Sequence, residues 1–399
     1  RKSRRSWGRL DMKSEWQTVR ADQFCTFVTD GTHDSPKPQT EGKRLITSRH
    51  LKGYDIDYSS ANLISEADYQ KIITRSAVEQ WDILYSMIGT IGNTYLERNP
   101  VVDYACKNVG IFKLGGKRNK AYWLYYYLKS PQAMEYVQSH LRGSTQQYVP
   151  LNSLREMPVP VTDNQVMYKT IEVLKGFDDK IETNQRINDN LEQQTAALFS
   201  SLYNRSNTEV RYTDLIQILG GGTPKTGEPA YWNGNIAFFT PKDVGAPYTF
   251  ITEKTITEEG LSHCNSRLYP VNTVFVTARG TVGKVGLSGV PMAMNQSCYA
   301  LVGKETHQLL VYFYTLKAVD RLKHKASGAV FDAITTRDFD SEQIMKLSDD
   351  DAKAFLCVAE PMFQEILNNS IENLRLSTLR DFLLPKLMSG EIDVSSVQL

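Results

Sequence analysis

The sequence predicts an α+β protein: two mixed, mostly β globular domains separated by two long helices that pair as an antiparallel coiled coil, with a pseudo-two-fold internal repeat. Three observations carry this. A turn recurs: Trp81–Asn93 (WDILYSMIGTIGN) and Val271–Lys284 (VNTVFVTARGTVGK) align Gly89, Thr90 and Gly92 with Gly280, Thr281 and Gly283 at an offset of 191 residues. A helix recurs: Ile181, Asn184, Asn188, Leu191, Leu198 and Leu202 fall on Ile366, Asn369, Asn373, Leu376, Leu383 and Leu387 at an offset of 185. Both segments come in the same order in each half, which is the signature of a duplicated unit.

The first globular domain is read as residues 1–160, with its folded part starting near residue 13. Short β-favouring runs, Arg44–Thr47, Ile83–Tyr85 and Asn108–Leu114, alternate there with Gly, Asn and Asp turns. The second domain, 209–347, repeats the texture with Ile236–Phe239, Thr273–Thr277 and Ser297–Val302. One helix is expected in each, Lys120–Gln138 and Thr306–His324.

The helical segments are 161–208 and 348–393. In the first, Met167, Leu174, Phe177, Ile181, Leu191, Leu198 and Leu202 recur at helical spacing behind the capping candidates Thr162 and Asp163. In the second, Phe355, Val358, Met362, Ile366, Leu376, Leu379, Leu383 and Leu387 form a similar stripe. A helix of about 40 residues spans roughly 60 Å, too long for one small domain to bury, so the two stripes are expected to pack on each other. Asn184, Asn188, Asn369 and Asn373 interrupt the stripes at matching positions. Either they pair across the seam and fix its register, or the stripe rotates into solvent there. An internal two-fold favours antiparallel helices.

Composition excludes several function classes. At 399 residues the chain has room for two or three domains. Its richest apolar run, Tyr122–Leu128, is far short of the roughly 20 residues that cross a bilayer, and the basic opening Arg1, Lys2, Arg4, Arg5 and Arg9 has no apolar stretch behind it, so a cytoplasmic, non-membrane protein is expected. Lys+Arg 46 against Asp+Glu 45 leaves the net charge at +1, which neither predicts nor forbids a nucleic-acid partner. Five cysteines without a CxxC pair suggest free thiols, and no zinc-ligand spacing occurs. Gly280–Val285 is too short for a phosphate loop and lacks its hydroxyl; Gly220–Thr226 puts Pro224 where such a loop needs glycine. No methyltransferase tetrapeptide or convincing nuclease carboxylate cluster is present; Asp332, Asp338 and Asp340 read as loop and cap residues.

What remains is binding. Loops combining glycine with residues able to reach phosphates and base edges occur in both domains. The first offers Thr32, His33, Ser35 and Lys37, then Thr90 and Asn93; the second offers Thr223, Lys225 and Thr226, Lys242, and Arg279, Thr281 and Lys284. Arg279 suits bidentate contact with guanine. Ordinary turns use the same residue types.

The DGTH string at Asp30, GGTPKT at Gly221, ARGTVGKVG at Ala278, IETNQRINDNLEQQ at Ile181 and RDFLLPKLMSGE at Arg380 together resemble the specificity subunit of type I restriction–modification systems, over essentially the whole chain. The resemblance implies a non-catalytic chain whose two target-recognition domains each read half of a split, asymmetric site in double-stranded DNA. The helix pair would space the halves and dock two methyltransferase subunits. Its candidate seam and partner residues are Leu174, Ile181, Asn184, Asn188, Leu191, Leu198, Ile366, Asn369, Asn373, Leu376 and Leu383. S-adenosylmethionine, ATP and Mg2+ would belong to the methyltransferase and restriction/translocase subunits, in a bacterial or archaeal cytoplasm, with no cofactor on this chain. The alternative is a two-domain scaffold that binds proteins without reading DNA.

Overall fold

Apolar β-branched and aromatic runs too short for helices build the sheets, and the computed structural model describes them within residues 16–245, 247–325 and 333–397. The basic tract Arg1, Lys2, Arg4, Arg5 and Arg9 lies outside the described residues, as does Asp332. In the first half the strands are β1 (Gln17–Arg20), β2 (Phe27–Asp30), β3 (Lys43–Ile46), β4 (Asn62–Ile64), β5 (Ile83–Ser86), β6 (Thr94–Leu96), β7 (Tyr104–Cys106), β8 (Val109–Lys113) and β9 (Pro158–Val161). They form a four-stranded sheet β2-β8-β5-β6, a three-stranded sheet β4-β3-β7 and the pair β1-β9. Every residue of β5 is buried, which is why its sequence shows no polar alternation.

The second half repeats the plan with β10 (Thr208–Arg211), β11 (Ile216–Gly220), β12 (Trp232–Phe239), β13 (Tyr248–Thr249), β14 (Lys254–Ile256), β15 (Val274–Thr277), β16 (Val285–Ser288), β17 (Met292–Met294), β18 (Cys298–Gly303) and β19 (Gln343–Lys346). Its sheets run β11-β18-β15-β16-β13, β14-β12-β17 and β10-β19. The order is that of the first half with β13 added, and the parallel pairing of β3 with β7 returns as β12 with β17.

The helices are α1 (Ala21–Phe24), α2 (Glu66–Ser76), α3 (Arg118–Leu128), α4 (Pro131–Ser139), α5 (Leu151–Glu156), α6 (Asn164–Arg205), α7 (Tyr212–Leu215), α8 (Glu258–Ser262), α9 (Gln308–Lys325), α10 (Thr336–Asp340) and α11 (Asp349–Met388). One helix per domain is therefore too few. The expected Lys120–Gln138 helix is two: Ser130 caps α4 by accepting the Ala133 amide at 3.3 Å, and Pro131 has no N–H with which to continue α3. Its counterpart α9, with Thr315 and Leu316 at the corresponding positions, runs unbroken. Asp163 accepts the Gln165 amide at 2.7 Å before α6, and Asp338 completes a capping box with Thr335 before α10.

The chain divides into two compact units, one built from residues up to Ile181 together with Arg375 onward, the other from Glu182–Leu374. Each contains part of both long helices, antiparallel. In the first unit, Met167, Ile171 and Leu174 of α6 join Leu384, Leu387 and Met388 of α11 in one core with Trp123 and Phe112. Asp178 meets Arg380 there, and Lys169 meets the Ser395 carbonyl. In the second unit, Phe199 and Leu202 of α6 join Phe355, Ala359, Phe363 and Ile366 of α11 under Phe313 and Tyr314 of α9. Phe199 stacks on Phe313 at 5.0 Å.

The asparagines pair. Asn184 donates to Asn373 at 2.9 Å, and Asn369 donates to Asn188 at 3.0 Å. Because Asn184 and Asn369 are related by the 185-residue offset, as are Asn188 and Asn373, these two bonds are one contact made twice about a local two-fold. Asn184 also donates to Glu372 at 2.7 Å and Asn188 to Ser370 at 3.3 Å. Leu174, Ile181 and Ile366 are buried, whereas Leu191, Leu198, Leu376 and Leu383 flank the seam half-buried. The stripe of α11 needs correction: Val358 and Leu379 are 43% and 46% exposed, and their places are taken by Ala359 and Arg380. From Phe355 spacing alone admits either face, because apolar residues sit at both i+3 and i+4; from Leu376 the buried i+4 residue is the charged Arg380, which an apolar pattern passes over.

Candidate nucleic-acid interface

The repeated turn is built the same way in both halves. After β5, the Ser86 hydroxyl donates to the Thr90 carbonyl and accepts the Asn93 amide at 2.8 Å; after β15, the Thr277 hydroxyl donates to the Thr281 carbonyl and accepts the Lys284 amide at 2.9 Å. The Gly92 and Gly283 amides donate to the Ser86 and Thr277 carbonyls at 3.2 and 2.9 Å. Gly89, Gly92, Gly280 and Gly283 all have φ between 74° and 100°, a region closed to most side chains. One buried hydroxyl and two glycines therefore hold each tip open, with Thr90 exposed in the first half and Arg279 and Thr281 in the second.

A later segment clamps each turn. The Val149 amide donates to the Met87 carbonyl, and the Ile334 amide donates to the Ala278 carbonyl, both at 2.9 Å. Met87 and Ala278 obey the 191-residue offset while Val149 and Ile334 obey the 185-residue one, so this single hydrogen bond joins both repeat frames.

The other loops are more occupied than their sequence suggests. Thr32 is buried and its hydroxyl oxygen accepts the Asp34 amide at 3.1 Å, shaping the loop. Gly31 beside it allows close approach, since a Cβ there would lie 2.2 Å from the Cys106 carbonyl oxygen. His33 is exposed, but its ring bridges Asp30 Oδ2 at 2.9 Å and Asn108 Oδ1 at 2.8 Å. Ser35 accepts from Lys107, and Asn93 donates to the Leu51 carbonyl at 3.0 Å. Lys37 is exposed.

In the second half, Thr223 donates to Gln296, Lys242 pairs with Glu253 at 3.3 Å, and the Thr281 hydroxyl donates to the Pro241 carbonyl at 3.0 Å. Lys225, Thr226, Arg279 and Lys284 are exposed and, among the described residues, make no side-chain hydrogen bond or ion pair. Lys242, Glu253, Gly280, Thr281 and Asn295 line one cavity of about 420 Å³ beside the turn. The structure thus brings Lys242 and Thr281 together.

One element escaped sequence reasoning. Between Arg142 and Tyr148 the chain forms a tight hairpin lying against the first turn, with reciprocal amide-to-carbonyl bonds of 2.9 Å between those two residues and a bridge from Tyr148 to Ile88. Its signal was present: Gly143 begins a polar run, Ser144–Gln147, inside a stretch without Asp or Glu from Tyr136 to Arg155.

A family model described as "Type I restriction modification DNA specificity domain" matches residues 13–193 and 204–346. The chain is similar to the Type I restriction enzyme HindI specificity subunit of Haemophilus influenzae, 23% identical over 404 residues, covering 80% of this chain and 88% of that one. It is also similar to the MjaIX specificity subunit of Methanocaldococcus jannaschii, 32% identical over 124 residues, or 30% and 29% of the two chains. The crystal structure of a type I restriction–modification S subunit from M. genitalium aligns with a TM-score of 0.56 at 15% identity, covering 95% and 97%, a likeness of fold.

Proposed function

We propose a function from one premise: the chain belongs to the family of type I restriction modification DNA specificity domains. It is a non-catalytic specificity subunit whose role is recognition of a DNA site within a multisubunit complex. On our reading each half recognises one half of a bipartite, asymmetric duplex site. Two methyltransferase subunits and restriction/translocase subunits assemble with the chain; S-adenosylmethionine, ATP and Mg2+ belong to those partners. No helix among the described residues is long and apolar enough to cross a membrane, and a DNA substrate suits a cytoplasmic site of action.

The observation that best supports a two-part reader is the duplicated turn, held by matching hydrogen bonds in both halves yet carrying different residues at equivalent positions, Ile88 in one half where Arg279 stands in the other and Asn93 where Lys284 stands. Two copies of one scaffold carrying different side chains suit two different half-sequences.

Selection of duplexes from a random pool by the full chain assembled with its methyltransferase subunit, at fixed ionic strength, tests this. Two conserved blocks separated by an unselected gap are expected. Arg279→Ala should relax one block alone, by about 5- to 150-fold in discrimination. A pool that returns no sequence preference overturns the reading.

A further inference from the structure

The polar side chains of the candidate loops in the first half are mostly engaged within the protein, as His33, Ser35 and Asn93 show. The hairpin beside them is the reverse. Arg142, Ser144, Thr145, Gln146 and Gln147 are all exposed, and among the described residues none makes a side-chain hydrogen bond or ion pair. Tyr148 is 42% exposed. Their backbone is nonetheless fixed: the Arg142 and Tyr148 amides and carbonyls pair, the Val149 amide is held by Met87, and Gly143 sits at φ 95° where a Cβ would be 2.3 Å from the Gln146 carbonyl oxygen. At its base His140 stacks on Tyr136 with ring centroids 4.1 Å apart.

Resting on the DNA-recognition reading above, we propose that the Arg142–Tyr148 hairpin is the principal base-reading element of the first half, with Arg142, Gln146 and Gln147 contacting purine edges in the major groove. A two-stranded ribbon fits that groove, about 12 Å wide, and Arg and Gln are the side chains that pair bidentately with guanine and adenine respectively. A rigid backbone presenting unpaired donors loses little freedom on binding. The absence of carboxylates along the stretch from Tyr136 to Arg155 leaves no side-chain anion there to oppose flanking phosphates.

The test is the same pool selection on the assembled complex, comparing wild type with Gln146→Ala/Gln147→Ala, Arg142→Ala and Gly143→Val. The proposal expects each variant to relax positions in one block of the consensus, by about 5- to 150-fold in discrimination, while the other block stays sharp and certifies that the chain has folded. Gly143→Val should reproduce the effect without removing any of the reading side chains. Two outcomes overturn the proposal while leaving the DNA-recognition reading intact: an unchanged consensus with uniformly weaker binding, which would reassign the hairpin to phosphates, and no change at all. A wild-type complex that selects no sequence overturns the reading itself, and the hairpin's role with it.

Discussion

Asp178 and Arg380 stand in the first unit where, by the 185-residue offset, Phe363 and Thr195 stand in the second. In the first unit the helices meet through charge: Arg380 donates to Asp178 at 2.7 Å, Asp178 also accepts from Tyr54 at 2.7 Å and from Tyr126 at 3.0 Å, and Arg380 contacts Tyr54 and Asp381. Burial works against the Arg380 charge, yet the hydrogen bond and attraction of Asp178 outweigh it and raise its pKa. In the second unit the same place is filled by Phe363, packed against Tyr248, Tyr312 and Phe313. The two halves share a backbone plan and differ in how the long helices are fastened to it. A buried ion pair contributes little net stability but is costly to break, whereas an aromatic contact contributes stability directly.

Four experiments sharpen or break that contrast. Asp178→Ala strands a buried guanidinium and two tyrosine hydroxyls; urea unfolding should show a loss of about 3 to 5 kcal/mol, comparable with the about 3 to 5 kcal/mol expected of Phe363→Ala through its cavity. Combining Asp178→Ala with Arg380→Ala should then cost less than the sum of the single changes, with a coupling of about 1 to 3 kcal/mol; additive losses would mean that the pair is not a unit.

Lys129 provides the third. Burial lowers its pKa to about 8 from 10.5, with Asp178 and Asp381 opposing the shift and Arg380 adding to it. Its ammonium lies 4.7 and 4.6 Å from the Tyr54 and Tyr125 rings and donates to the Tyr125 hydroxyl at 3.0 Å. Between pH 8 and 10.5 the unfolded chain holds a proton that the folded chain has released, so this residue makes stability rise with pH across that window. Lys129→Met should be the more stable protein below pH 8, by about 3 kcal/mol, and lose that advantage by pH 10.5. The second unit has the neutral Tyr314 there, its hydroxyl accepting the Leu347 amide at 2.9 Å, and Tyr314→Phe should show no such pH dependence. Smallest of all, Gly89→Ala and Gly280→Ala place a Cβ in open or nearly open space at positive φ, and should each lower the unfolding midpoint by an equal amount equivalent to about 1 kcal/mol.

How much was legible in the sequence follows from the range of the forces involved. The turns could be read because their requirement is local: glycines at positive φ a fixed distance after a buried strand. The long helices and the matching places of Asn184, Asn188, Asn369 and Asn373 could be read because a repeat of 185 residues maps one helix onto the other, but spacing left open whether those asparagines pair, which the bond from Asn184 to Asn373 decides. The break between α3 and α4 was also local, in Ser130 and Pro131, but a run of buried aromatics masked it. The Asp178–Arg380 pair could not be read, because its partners lie 202 positions apart and break the repeat that guided everything else. Among the site residues, type and loop were legible and engagement was not: nothing local shows that His33 is held by Asp30 and Asn108 while Gln146 and Gln147 are held by nothing among the described residues.

The pinning of each repeated turn from beneath bears on how such a chain evolves. Ser86 or Thr277, the flanking glycines and backbone amides account for the shape, so the exposed side chains of Thr90 and Arg279 take no part in holding it and their replacement leaves the loop standing. Lineages can therefore explore new apex chemistry by single substitutions, with selection acting on recognition while the underlying architecture stays insulated from the search.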